Sequence, residues 1–108
     1  MWKNFEDITL IPKKFNIAGS EYTVTLADSS EEDLDGNYGD FSFLTHELRV
    51  ALHAKLDTET IKIRDDEVLK CYLHELGHCF NYYYNNDTSE EFANAFSNFM
   101  YEYLHTKE

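Results

Sequence analysis

His74-Glu75-Leu76-Gly77-His78 brings two imidazoles and a carboxylate together if the chain around it is helical. Each helical residue advances by about 100°, so the two histidines lie about 40° apart on one face, one turn from each other. Glu75 is turned about 60° from His78 on the same side. Two imidazoles so spaced can hold one Zn²⁺. The glutamate between them then reaches a water on the metal without binding the metal itself. This is the ligand and base arrangement of metal-assisted peptide hydrolysis.

The elements around the motif must supply the helix and a third ligand. Asp65 or Asp66 can cap a helix that runs to about Tyr83. Leu69, Tyr72, Leu73, Leu76, Phe80 and Tyr83 form its apolar arc, on a different side from the histidines. Gly77 is a poor helix former, and its missing side chain lets another segment approach closely. Asn85-Asn86-Asp87-Thr88 reads as a turn, and Thr88 or Ser89 caps a last helix to about His105. The candidates for the third ligand are Glu90, Glu91 and His105. With Phe92, Phe96, Phe99 and Tyr103 as the buried stripe, Glu91 falls with Asn98 and Glu102 on a solvated face. Glu90 falls with Ser97 and Tyr101 at the margin of the buried sector, where a ligand can be held by the core and still reach a cleft. The phase therefore favours Glu90, with Glu91 as the alternative. Asn94, one turn further, can hydrogen-bond a ligating histidine. Tyr82, Tyr83, Tyr84 and Tyr101 read mainly as packing residues, one of which can donate to a developing oxyanion; Tyr82 and Tyr101 are the candidates for that role.

Upstream, Phe15 and Ile17, then Gly19-Ser20, then Tyr22, Val24 and Leu26 alternate as a β-hairpin. The acidic, glycine-containing stretch Asp28 to Asp40 reads as a loop. Leu48 to Leu52 reads as a third strand, with an exposed edge, and Ile61 and Ile63 can belong to a fourth. The order is β-β-β(-β)-α-α. It predicts an α+β fold in which a small antiparallel-rich sheet packs on the motif helix and a C-terminal helix, in one domain spanning residues 1–108.

Of the 108 residues, 43% are hydrophobic and 16% aromatic, which suits a packed core and a globular chain. The formal charge of −12 argues against nucleic-acid and anionic-membrane partners, which select for clustered Lys and Arg. No window has the length of a membrane span, and Met1 to Leu10 shows no basic run followed by an apolar stretch. Cys71 and Cys79 lie eight residues apart on one helix, roughly 12 Å along its axis, too far to pair. Both read as packed thiols in a reducing, cytoplasmic compartment. His46 and His53, around the third strand, read as surface residues.

His74-Glu75-Leu76-Gly77-His78 followed by Glu90-Glu91-Phe92-Ala93-Asn94-Ala95-Phe96 resembles the ImmA/IrrE-like metallopeptidases of bacteria, phages and mobile elements. Their pattern is HExxH, then a glutamate followed by Ala-Asn and Phe, which Glu90, Ala93, Asn94 and Phe96 match in position. The resemblance covers about Val68 to Tyr101. It implies a minimal gluzincin-like domain, sometimes called a minigluzincin, holding one Zn²⁺ through His74, His78 and Glu90. Glu75 would act as general base on a peptide or protein substrate, such as a repressor, laid along the third strand by β-augmentation. The rival expectation is a zinc-stabilised, non-catalytic binding module of a phage or mobile element.

Overall fold

Alternating apolar residues in the first half of the chain form strands. In the computed structural model, which describes residues 7–27, 38–56, 59–87 and 89–107, a 3₁₀ turn at Asp7–Leu10 precedes β1 (Lys14–Ile17) and β2 (Ser20–Ala27). These two strands pair antiparallel around Ala18 and Gly19, both at positive φ (49° and 80°). The 80° at Gly19 costs a glycine nothing. β3 (Gly39–Ser42) and β4 (Glu47–Ala51) form a second antiparallel pair, and β4 runs parallel to β2. The sheet order is thus β1-β2-β4-β3, with a separate pair, β5 (His53–Leu56) and β6 (Glu59–Lys62).

Two sequence expectations change here. The third strand is not an edge, because β4 lies between β2 and β3. The edges are β1 and β3, and β3 falls across the end of the stretch read as a loop; residues 28–37 of that loop lie outside the described residues. The fourth-strand expectation is met by β6, which contains Ile61 but stops before Ile63.

The sheet buries Tyr22, Leu48 and Val50 against Val68, Leu69, Tyr72, Leu73 and Cys79 of helix α1 (Asp65–Asn85). The result is an α+β fold in which α1 is the backing of the sheet. Neither Asp65 nor Asp66 caps α1. Its N-cap is Arg64, and the two aspartates pair with Lys62 and Arg64. The acidic first turn still suits the helix dipole. Asn86 closes α1 in the left-handed conformation. Ser89 then caps helix α2 (Glu90–Thr106) by accepting a hydrogen bond from the Phe92 backbone N–H; Thr88 lies outside the described residues.

Helix α2 packs on α1 through a face that the aromatic stripe did not foretell. A Cβ built on Gly77 would sit 3.1 Å from the Ala93 Cα and 3.2 Å from the Phe96 Cβ. The helices approach so closely that small residues form the seam, and Ala93 and Ser97 are buried while Phe99 and Tyr103 are 65% and 50% exposed. Phe96 also lays its ring edge against Gly77, and the aromatic rings stack on one another: Phe99 with Tyr103, and Phe92 and Phe96 with Phe80 of α1.

Gly77→Ala is expected to lower the urea midpoint of unfolding, although alanine is the better helix former by about 1 kcal/mol. Phe99→Ala is expected to stay within about 0.5 kcal/mol of the parent, as a surface change should.

Burial pushes the Cys79 thiol from 9.0 up to about 12, and also raises the Tyr72 and Tyr22 hydroxyls. The fold favours their neutral forms, so their contribution to stability is complete below pH 9.0 and declines as pH rises toward 12, where the unfolded chain ionises first. Melting temperature followed across this alkaline range should fall steadily.

Candidate metal centre

Helix α1 carries His74 and His78 one turn apart and beside its core face, with 23% and 16% of their side chains exposed. Their rings meet edge to face, with centroids 4.7 Å apart, and the two Nε2 atoms lie 3.2 Å from each other. Glu90, the first residue of α2, faces both. Its Oε2 lies 3.0 Å from His74 Nε2 and its Oε1 3.0 Å from His78 Nε2. The turn at Asn86 and the cap at Ser89 set this position, because they fold α2 back along α1 and leave its first residue over the histidines.

The donor set could hold a metal ion. A tetrahedral ion with bonds of about 2.0–2.1 Å places its ligand atoms about 3.3 Å apart. The two imidazole nitrogens, 3.2 Å apart, are close to that edge length, and each meets a different oxygen of Glu90 at 3.0 Å. Two imidazoles and a carboxylate are also the ligand set that leaves a fourth position for water. His74, His78 and Glu90 form the one group of this kind among the described residues. Glu91 is exposed and outside it.

Glu75 shares the cleft with His78 and Glu90 and lies outside the donor group. The cleft has a volume of about 460 Å³. One side is formed by Glu75, His78, Tyr82 and Glu90, and the facing side by Gly39, Asp40 and Phe41 of β3. Burial, then the nearby charges of Asp40 and Glu90, push the Glu75 carboxyl up to about 7. Gly39 makes that burial possible. A Cβ on it would lie 3.1 Å from Glu75 Cγ and 3.2 Å from the Arg49 carbonyl oxygen, so the missing side chain lets β3 lie close to the carboxylate. Across the β3–β4 pair, Arg49 holds Asp40 with a two-pronged ion pair, its Nε donating to Oδ1 at 3.0 Å.

The other sequence candidates are dispersed. Tyr82 lines the cleft. Asn94 is exposed on α2, and among the described residues its side chain makes no hydrogen bond to either histidine. Tyr101 donates its hydroxyl to Asp7 at 3.3 Å, in a cluster with the buried His105, whose Nε2 also meets Asp7. That cluster ties the 3₁₀ turn to the last turn of α2 and is separate from the cleft. Cys71 and Cys79 are both free thiols; burial and the Glu67 and Glu75 carboxylates raise Cys71. His46 is exposed in the β3–β4 turn, where its ring stacks on Tyr22. His53 is half-buried in β5.

Sequence reasoning missed Gly39, Asp40, Phe41 and Arg49. Two signals for them were present: Gly-x-Phe alternation at the end of the acidic stretch, and opposite charges at positions 40 and 49, as a hairpin would pair them. Comparison with known proteins found no matching family model, no matching curated protein and no matching solved structure.

Purified protein is expected to carry about one zinc per chain by elemental analysis, and a chelator should lower its melting temperature. Glu90→Ala should weaken zinc binding by more than the roughly 10–100-fold that loss of an outer hydrogen-bond partner costs. Glu91→Ala should leave the affinity near the parent's.

Proposed function

We propose that this chain is a zinc-dependent peptidase of the ImmA/IrrE-like, minigluzincin type. One observation carries the reading: two imidazole nitrogens lie 3.2 Å apart and each meets one oxygen of the Glu90 carboxylate at 3.0 Å, with a second carboxylate, Glu75, beside them in the cleft. A structural zinc site would more often be closed by four protein ligands, cysteine among them. Here no cysteine joins the donor group, and the donors border an open cleft.

Bound through His74, His78 and Glu90, zinc would supply a Lewis acid and a water of lowered pKa. Glu75 accepts the proton of the attacking water and returns it to the leaving amine. Its half-buried place between β3 and α1 keeps it close to neutrality, where it can both take and give a proton. Gly39 keeps bulk solvent from the back of its carboxylate. Tyr82 is the oxyanion donor candidate that borders the cleft.

The peptide substrate adds to the edge strand β3. The Ala51 N–H donates to the Tyr38 carbonyl at 2.8 Å, which sets the phase of the β3–β4 ladder. In an antiparallel pair, hydrogen-bonded and non-hydrogen-bonded residues alternate, so Gly39 and Phe41 turn their backbone N–H and C=O away from β4. These groups can receive an extended peptide beside the zinc ligands. Two free cysteines suit a reducing cytoplasm, in a bacterium or a phage-infected host, and among the described residues no helix is long and apolar enough to cross a membrane. A repressor is one protein substrate that this family reading suggests.

Glu75→Gln keeps the size and hydrogen bonding of the side chain and removes the base. The variant should retain zinc and melt close to the parent, while cleavage of an unfolded protein or a peptide library falls by about 10²–10⁴-fold. Equal cleavage by both proteins would assign the activity to a contaminant. Zinc-loaded parent protein that cleaves nothing in these assays would favour a zinc-stabilised binding module.

A further inference from the structure

Resting on the peptidase reading, we propose that Phe41, Phe43 and Tyr82 form a specificity subsite that selects a large apolar side chain within two residues of the scissile bond. Phe41 and Tyr82 line the same cleft as Glu75, His78 and Glu90, so the apolar surface is continuous with the site of reaction. Tyr82 follows His78 by one helical turn, about 6 Å along the axis. An extended peptide covers that length in about two residues. The side chain meeting this surface therefore belongs to a residue next to the bond cut, or to its neighbour on the same side.

The three rings hold one another. Phe43 stacks on Tyr82 with centroids 5.0 Å apart and planes 19° apart, and Phe41 meets Tyr82 at 5.7 Å and 60°. Behind them, Phe41 packs on the fully buried Tyr22 at 5.9 Å. A shelf braced this way is preorganised and loses little side-chain freedom when an occupant arrives. It also faces solvent: Phe43 is 47% exposed and the adjoining Leu44 81%. Such apolar exposure beside a polar cleft is unfavourable for the free protein and is relieved when a substrate side chain covers it.

Charge narrows the occupant further. The ionisable groups in the cleft wall are Asp40, Glu75, His78, Tyr82 and Glu90, none of them a lysine or arginine, and the chain carries a net −12. Arg49, the nearest guanidinium, is engaged by Asp40. An acidic residue at this point of a substrate is repelled, while phenylalanine or leucine gains the burial of its side chain.

The test uses zinc-loaded protein, quenched peptides varied among Phe, Leu, Ala and Asp at the two positions on either side of the cut, and peptide hydroxamates carrying the same side chains. On one side of the cut, kcat/KM for Phe or Leu should exceed that for Ala by about 10–100-fold, with Asp lowest. Hydroxamate affinities should follow the same order. Phe43→Ser, at a half-exposed turn where folding is least at risk, should reduce the preference in both series, and Tyr82→Leu should shift it from aromatic toward aliphatic. Cleavage without side-chain preference overturns the subsite and leaves the peptidase standing. Absent cleavage, with hydroxamate selectivity that Phe43→Ser reduces, upholds the subsite and overturns the catalytic reading. Hydroxamates that bind without selectivity, or not at all, overturn the subsite.

Discussion

The close approach of α1 and α2 at Gly77 is the constraint on which the rest of the structure depends. A Cβ there would lie 3.1 Å from the Ala93 backbone, so any larger residue would push the helices apart by a few tenths of an ångström. Glycine in a helix interior costs about 1 kcal/mol against alanine. The return is a fixed register between the helices. With Ala93 seated on Gly77, the first residue of α2 stands over His74 and His78, and one carboxylate spans both Nε2 atoms. A larger seam would lift Glu90 away from its partners and leave two histidines without a third donor.

The cleft holds two glutamates in different surroundings. Glu90 has 69% of its side chain exposed and sits at a helix N-terminus, where the dipole favours the anion. Glu75 is pressed against β3 at Gly39, and burial raises it. Environment, more than residue type, separates a group suited to hold a cation from one suited to exchange a proton. Both close approaches in the site, α2 on Gly77 and β3 on Glu75, use a glycine whose missing side chain lets the neighbour in.

The helical half of this molecule was legible because its signals are local. HExxH spacing, an apolar arc, a turn and a Ser cap fix α1, the connection and the start of α2 within a short stretch. Glu90 could be preferred over Glu91 by phase, and the structure places it against the histidines. The phase argument drew only part of its stripe correctly. Phe99 and Tyr103 lie outward, while Ala93, Ser97 and the ring of Phe96 face the Gly77 seam. Reading Gly77 together with Ala93 and Ser97 would have found that face. The sheet was harder. β4 pairs in parallel with β2 and antiparallel with β3, and no local pattern announces a parallel partner more than twenty residues away. β3 is four residues long and begins in a glycine-containing acidic stretch, so turn chemistry hid it.

All three donor residues belong to one helical hairpin, with His74 and Glu90 sixteen positions apart. Closing so short a loop takes on the order of 10–100 ns, and neighbouring helices form on the microsecond scale. The wall that lies against Glu75 comes instead from β3, more than thirty positions earlier and paired with β4. The candidate ligand set is therefore local in sequence, while the surroundings of Glu75 depend on contacts between distant parts of the chain.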